Sequence, residues 1–268
     1  MSEISAALVK QLRDQTGAGM MDCKRALQET GGDIDAARTL LREKGMALAG
    51  KRADRATTEG IVLVEESGAA AAIVGVGCET EPVSKNEAFR EFAEKALERV
   101  SANGNGADAA EALEAERVEL IGQLGENIVV VDGTRFEGGT LASYVHPPAK
   151  KIGVLVQLEG GTAELARELA MHISFSAPEY TSRDDVPEDI LASERQIYLN
   201  TDEVQSKPEQ AREKIVEGML AKRFLAAAPG GALLEQAWIR DPSKTVRAAL
   251  KEEGASVKAF SRISVAGS

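Results

Sequence analysis

The chain has 268 residues, 43% of them hydrophobic, so it can build more than one core and we expect two or three domains. A net charge of −11 argues against a nucleic acid as the main ligand, because phosphate binding depends on clustered Lys and Arg. The sequence has no apolar run long enough to cross a bilayer and no hydrophobic leader after Met1, so we expect a cytoplasmic protein without a membrane partner.

Residues 1–45 show the pattern of three short helices. Apolar residues at every fourth position from Ile4 to Leu12 predict a first helix, which ends near Gly17. A second helix is predicted from about Met21 to Thr30 and a third from Ile34 to Gly45. Three helices of this length predict a small bundle with a small core.

Met20 and Met21 are adjacent at the predicted start of the second helix. Periodicity alone favours packing of both into the bundle core. The alternative is that one side of the pair stays exposed and contacts a partner, because thioether side chains adapt well to a foreign surface.

A basic cluster follows the bundle: Lys44, Lys51, Arg52 and Arg55. Such a run is typical of a solvated linker. We therefore interpret residues 1–55 as a three-helix module with a hinge at its end.

After residue 55 the periodicity alternates, and one plan of strands and a helix occurs twice. The first copy has strands at Gly60–Val64 and Ala71–Val76 and a helix at Glu87–Val100. The second has strands at Leu141–Tyr144 and Ile152–Leu158 and a helix at about Ala163–Ser174. A helix ending near Leu124 and a strand at Asn127–Val131 lie between the copies.

From Pro187 the pattern returns to long helices, to about Asn200 and then from Pro208 to Ala226, which predicts a helical hairpin at about 186–228. Its expected seam is Ile190, Ile197, Ile215, Met219 and Phe224. The tail predicts a strand at Ala237–Ile239, a helix at Lys244–Glu252 and a final strand at Val257–Val265 that completes the second copy.

The sequence offers few residues that are suited to catalysis. The only histidines are His146 and His172, and the sequence has no P-loop, dinucleotide fingerprint or cysteine cluster. Cys23 and Cys78 lack CxxC spacing, so we interpret both as packing residues. An enzyme using Cys78 and His172 is the last-ranked alternative, because no orienting carboxylate can be assigned. We expect no catalytic residues, no metal and no cofactor.

Six segments of the chain form one ordered set of motifs: Ser5–Arg13, Thr16–Leu27, Gly31–Ile34, Glu59–Val62, Glu79–Thr80 and Met171–His172. In this order they resemble the elongation factor Ts family, and the resemblance covers nearly the whole chain. It implies an α+β fold with an amino-terminal three-helix UBA-like module at 1–55. Two similar sheet-and-helix subdomains follow at 56–138 and 139–268, the second with the inserted hairpin.

The resemblance implies a guanine-nucleotide exchange factor in translation elongation. Such a factor binds elongation factor Tu in its GDP-bound and nucleotide-free forms, and promotes release of Mg²⁺ and GDP so that GTP can rebind. The helical hairpin or the second subdomain is the candidate dimerisation surface. Matching motifs assign partner binding to Arg13, Met20, Met21, Lys24, Ile152, Gly153 and His172. They assign displacement of the partner's Mg²⁺ to Thr80, Glu81, Pro82 and Val83.

The segment Thr80–Val83 departs from the family pattern Thr-Asp-Phe-Val. Glu81 keeps a carboxylate, but Pro82 offers less apolar area than phenylalanine, a difference of about 1 kcal/mol. We expect a loop that retains a reduced share of the exchange reaction; an ordinary turn after a strand is the alternative. The chain also stops after its last predicted strand, so we do not expect the further helix found in some members of the family.

A protein-interaction adaptor without exchange activity is the main alternative function, because three-helix modules of this kind also resemble ubiquitin-associated domains. The two sheet-and-helix copies behind the module argue against it.

Overall fold

The computed structural model describes residues 4–266 and combines helices with antiparallel sheets, so the predicted α+β class is confirmed. The α-helices are α1 (Ala6–Thr16), α2 (Met20–Glu29), α3 (Ile34–Arg52), α4 (Glu81–Ser84), α5 (Glu87–Asn103), α6 (Gly106–Ala112), α7 (Glu114–Leu124), α8 (Ala163–Ser176), α9 (Glu188–Leu199), α10 (Asp202–Gln205), α11 (Glu209–Met219) and α12 (Val246–Glu252). The strands are β1 (Glu59–Ser67), β2 (Ala70–Cys78), β3 (Ile128–Glu137), β4 (Thr140–Val145), β5 (Ile152–Glu159), β6 (Ala237–Trp238), β7 (Asp241–Thr245) and β8 (Ser256–Ser264). Within residues 4–266, no helix is both long enough and apolar enough to cross a membrane.

The helices α1, α2 and α3 form the predicted amino-terminal bundle. Their ends follow local chemistry: Ser5 caps α1 by accepting from the amide of Leu8, Asp33 caps α3, and Gly17 ends α1 with φ of 63°. The bundle core consists of Val9, Leu12, Ala18, Cys23, Ala26, Leu27 and Ala37.

Helix α3 continues past Gly45, where the sequence pattern predicted its end, to Arg52. Gly45 lies where α3 crosses α7: a Cβ on this residue would be 3.4 Å from the carbonyl oxygen of Val118 and 3.7 Å from Cα of Gly122. The glycine therefore permits a close helix crossing and does not terminate the helix.

The basic residues after the bundle do not form the solvated linker that the sequence predicts. Lys44, Lys51 and Arg52 lie within α3, and Arg52 and Arg55 both bind the carboxylate of Glu79, at 2.9 and 3.2 Å. Arg52 and Arg55 thus attach the module to the residue that follows β2, whereas Lys44 binds Glu29 within the bundle.

Two antiparallel sheets, in the orders β1-β2-β3 and β4-β5-β8, each carry a helix on one face. Helix α5, capped by Asn86, packs Phe89, Phe92 and Val100 onto the first sheet, and α8 packs Leu165 and others onto the second. The last strand pairs with β5, so the prediction that it completes the second sheet is confirmed.

The other faces of the two sheets pack against each other, which gives a helix–sheet–sheet–helix order of layers. Side chains alternate along β2 and β5: Val74 and Val154 face the helices, and Ile73 and Leu155 face the opposite sheet. The sheet–sheet core consists of Val62, Ala71, Ile73, Leu155, Ile263 and Val265.

The hairpin region and the tail depart from prediction in detail. A short helix, α10, lies between α9 and α11, and α11 passes into a π-helical segment at Leu220–Leu225. Ile197, which is expected in the seam of the hairpin, is exposed, whereas Leu191 is buried there. Helix α12 starts at Val246, because the preceding residues form β7 and Thr245 is its cap.

Candidate partner-binding site

The methionine pair lies on the surface. Met20 and Met21 are 57% and 64% exposed, because Cys23, Ala26 and Leu27 supply the buried face of α2. The core interpretation of the pair is therefore wrong. Two further predicted contact residues, Arg13 in the last turn of α1 and Lys24 in α2, are also exposed.

The sequence predicts a loop at Thr80–Val83, but the structure shows a helix. Thr80 is the N-cap of the one-turn helix α4, and Glu81, Pro82 and Val83 lie within that helix. Pro82 occupies an early helical position, where a missing N–H costs little. Glu81 and Pro82 are exposed, while Val83 packs on the first core. Lys85 binds the carboxylate of Glu81 at 2.7 Å, and this hydrogen bond holds the pKa of Glu81 below its usual range.

Two carboxylates hold the residues just before α4. Glu126 accepts from the amides of Glu79 and Thr80 at 3.1 and 2.9 Å, and from the Thr80 hydroxyl at 2.5 Å. Glu79 accepts from the amide of Asn127 at 2.7 Å as well as from Arg52 and Arg55. Burial opposes ionisation of Glu79, but these hydrogen bonds outweigh it and lower its pKa.

Sequence reasoning missed Glu126 and Asn127. The local signal was present, because Gly125 ends α7 in the left-handed conformation and a polar pair follows directly before a strand. Their partners lie 46 to 48 residues away along the chain, which periodicity cannot reveal.

His172 is buried, with 3% of its surface exposed. Its Nε2 is 2.9 Å from Oε1 of Gln236, and its ring stacks on Trp238 with centroids 5.4 Å apart. Burial lowers the pKa of His172, so the ring is neutral at pH 7. The exposed side chains of α8 nearby are Met171 and Phe175, the latter 77% exposed; sequence analysis selected neither as a site residue.

Gly153 is also buried and belongs to the sheet–sheet packing. A Cβ on Gly153 would lie 2.4 Å from Cγ1 of Val62 and 3.1 Å from Cδ1 of Ile73. Its neighbour Ile152 is half-buried at the start of β5. The structure therefore groups the predicted residues into an exposed set on α1, α2 and α4, and a largely buried set on β5 and α8.

Cys78 and His172 do not form a catalytic pair. Cys78 is packed in the first core, whereas His172 lies beside the second. Burial raises the pKa of the Cys78 thiol to about 12, so it stays protonated. Within residues 4–266, no group of three or more His, Cys, Asp or Glu side chains is placed to hold a metal ion.

Residues 79–267 match the family described as Elongation factor TS. A protein of Halorhodospira halophila named elongation factor Ts is 42% identical to this chain, over 98% of the chain and 92% of the relative. This chain belongs to the elongation factor Ts family. Proteins of the same name from Idiomarina loihiensis and Pseudomonas fluorescens are 40% and 39% identical, over 98% and 99% of the chain and 91% of each relative.

Membership of the elongation factor Ts family makes the protein a translation elongation factor. The family match begins at Glu79, beyond the three-helix bundle, and covers β3 of the first sheet and all three strands of the second. This extent disfavours an adaptor whose function resides in the bundle alone.

Proposed function

We propose that this protein is a guanine-nucleotide exchange factor for elongation factor Tu, referred to below as the GTPase partner. It binds the GDP-bound partner, promotes release of Mg²⁺ and GDP, and remains bound to the nucleotide-free form until GTP binds. The observation that carries the proposal is the exposure of Met20, Met21, Glu81 and Pro82 in a member of the elongation factor Ts family.

Exchange of this kind is a coupling between two binding equilibria. If the factor weakens nucleotide binding by some ratio, nucleotide weakens factor binding by the same ratio. The factor's contacts must therefore favour the partner conformation with a distorted Mg²⁺ and phosphate site. No catalytic residue is required for this role.

The exposed residues have two roles, docking and displacement of Mg²⁺. Arg13, Met20, Met21 and Lys24 form the docking surface of the amino-terminal module. Thr80–Val83, as α4 with its cap, brings the Glu81 carboxylate and a compact proline ring toward the Mg²⁺ site. Because Pro82 buries less area than the phenylalanine of the family pattern, this segment has a reduced share, and docking contacts contribute more.

In the second subdomain, Ile152, Gly153 and His172 act by shaping the surface. His172 and Gly153 are buried, so their contribution passes through the position of α8 and β5. Met171 and Phe175 are the side chains that meet the partner there, because both are exposed on α8.

The same proposal covers the organisation of the chain. We assign docking to 1–55, Mg²⁺ displacement to 56–138 and the second contact region to 139–268. The protein acts in the cytoplasm, without direct nucleic-acid or membrane contact. If it dimerises, the hairpin at about 186–228 or the second subdomain provides the interface, and exposed Ile197 favours the hairpin.

The deciding experiment measures release of fluorescent GDP from the GTPase partner of the same organism. We expect the release rate to rise with factor concentration to a plateau, without hydrolysis of nucleotide by the factor. An unrelated GTPase carrying the same nucleotide is the control and should release it at its unassisted rate. An unchanged rate at saturating factor would contradict the proposal.

A further inference from the structure

We propose that Glu126 is a positioning residue for nucleotide exchange: its carboxylate fixes the start of α4 and so the direction in which Glu81 and Pro82 face. The inference rests on the proposed exchange function, and extends it to a residue outside the predicted contact set.

Helix α4 cannot define its own orientation. It has four residues, and a single turn is too short to be stable alone. The bonds that close it are long: Ser84 N to Thr80 O and Lys85 N to Pro82 O are each 3.3 Å. Its direction must therefore come from what holds its two ends.

The second end is held by packing. Val83 lies against the first core, and the amide of Asn86 donates to the Val83 carbonyl at 2.9 Å, directly before α5. These contacts fix where α4 ends, and they involve neither Glu81 nor Pro82. The direction of these two residues therefore also depends on an anchor at the start of α4.

Glu126 is that anchor. A hydroxyl at a helix start ordinarily accepts from its own first turn, but Thr80 turns its hydroxyl to Glu126 and donates. Together with the amides of Glu79 and Thr80, this gives three hydrogen bonds to one carboxylate. Hydrogen bonds to an ionised acceptor are the stronger kind, so the carboxylate holds the chain at this point.

The residues on both sides of Glu126 are themselves held in place. Glu126 follows Gly125, the end of α7, and α7 buries Leu120 and Ile121 in the first core. The adjacent Asn127 donates its amide to Glu79 and its side-chain nitrogen to the carbonyl of Arg55 at 2.8 Å. The position of Glu126 is thus fixed from both sides, and it transmits that position to Thr80.

A positioning role makes a specific kinetic prediction. Association depends mainly on the docking surface of the amino-terminal module, whereas displacement of Mg²⁺ and GDP depends on the direction of Glu81 and Pro82. Loss of the anchor should therefore lower the plateau of the GDP release rate and leave the midpoint concentration nearly unchanged.

The test is Glu126→Gln, which keeps the size of the side chain but replaces one accepting oxygen by a donor. We expect the plateau to fall about five- to tenfold, the effect of losing one or two charged hydrogen bonds, with a midpoint shift below about twofold. Glu126→Asp keeps the charge at shorter reach and should give an intermediate plateau. The matched control is Glu114→Gln at the first residue of α7, whose carboxylate binds Arg117 at 2.7 Å, and it should behave as wild type.

A second readout needs no partner. In the free factor, the amides of Ser84 and Lys85 should exchange hydrogen about tenfold faster in Glu126→Gln than in wild type, while amides of β2 stay protected. If wild type fails to accelerate GDP release, the exchange function is wrong, and this measurement still decides whether Glu126 fixes α4.

The remaining outcomes also test the positioning role of Glu126. A wild-type plateau in Glu126→Gln, or a change confined to the midpoint, would overturn the positioning role. If that variant does not fold, Thr80→Val removes only the hydroxyl contact and should lower the plateau by about two- to threefold. An unchanged plateau in Thr80→Val would then overturn it as well.

Discussion

At the scale of single residues, the surroundings of His172 accept only a neutral ring. Gln236 donates its amide nitrogen to the carbonyls of Ala227 and Gly230, at 2.7 and 2.5 Å, so its oxygen must accept from Nε2 of His172. Trp238 covers the ring. A second proton would place a charge in this buried position, and for this reason the pKa of His172 is lowered.

This arrangement predicts a pH dependence of stability. The folded-state pKa of His172 lies below the unfolded value of about 6.5, so its contribution is fully present above about pH 6.5 and is lost as pH falls through the folded pKa. His172→Gln keeps a donor toward Gln236 but cannot titrate. In urea unfolding at about pH 8 and about pH 5, it should lose less stability than wild type on acidification.

His146→Gln is the matched control, because His146 is the other histidine and is exposed. The change in pH dependence should occur in His172→Gln and be missing from His146→Gln. Equal losses on acidification in all three proteins would contradict the argument.

At the scale of elements, α2 separates two roles on its two faces. Cys23, Ala26 and Leu27 are buried, while Met20 and Met21 face solvent at its first turn. Replacing the exposed pair should therefore change the free energy of unfolding by less than about 0.5 kcal/mol, whereas partner affinity should fall by about 1–2 kcal/mol or more.

The comparison is the double variant Met20→Ala with Met21→Ala against Met46→Ala. Met46 is 58% exposed on α3 of the same module, so it controls for loss of an exposed methionine. Binding to the nucleotide-free GTPase partner is measured by calorimetry, and stability by thermal melting. A large drop in melting temperature with unchanged affinity would show that the pair is structural.

Elements were predictable from sequence where local chemistry ends them. The first helix ends at Gly17 as predicted, and α3 and α5 begin at the predicted Ile34 and Glu87, directly after their caps Asp33 and Asn86. Prediction failed where the structure of an element depends on contacts with residues distant in sequence. Gly45 remains helical because α7 lies against it, and the direction of α4 depends on Glu126.

The candidate site shows the same division. Most of the residues that the motifs select on α1, α2 and α4 are exposed. The position of His172, three residues after Leu169 on the buried face of α8, favours burial, but its partner Gln236, which lies 64 residues away, could not be inferred. Gly153 likewise owes its burial to Val62 of another sheet.

At the scale of the whole molecule, the two sheets depend on glycines for their close approach. Besides Gly153, a Cβ on Gly75 would lie 2.4 Å from Cγ2 of Ile263. Because Val62 and Ile263 are themselves buried, neither can move aside without disturbing the shared core.

Gly153→Ala should therefore lower the free energy of unfolding by about 1–3 kcal/mol, as expected for overpacking. Val62→Ala removes the methyl group that the new Cβ would meet. In the double variant the two losses should be less than additive, with a coupling of at least about 0.5 kcal/mol in urea unfolding. Strictly additive losses would show that the two sheets do not press against each other at this point.

The crossing of α3 over α7 and the Arg52–Glu79 ion pair connect the module that carries the methionine pair to the subdomain that carries α4. If exchange proceeds as proposed and these contacts persist in the complex, the distance between the two contact regions stays fixed. A complex that satisfies both contacts is then reached by deformation of the nucleotide-bearing protein. The factor then loses little conformational entropy on association. The free-energy cost of deformation falls on the GTPase partner, which releases its nucleotide.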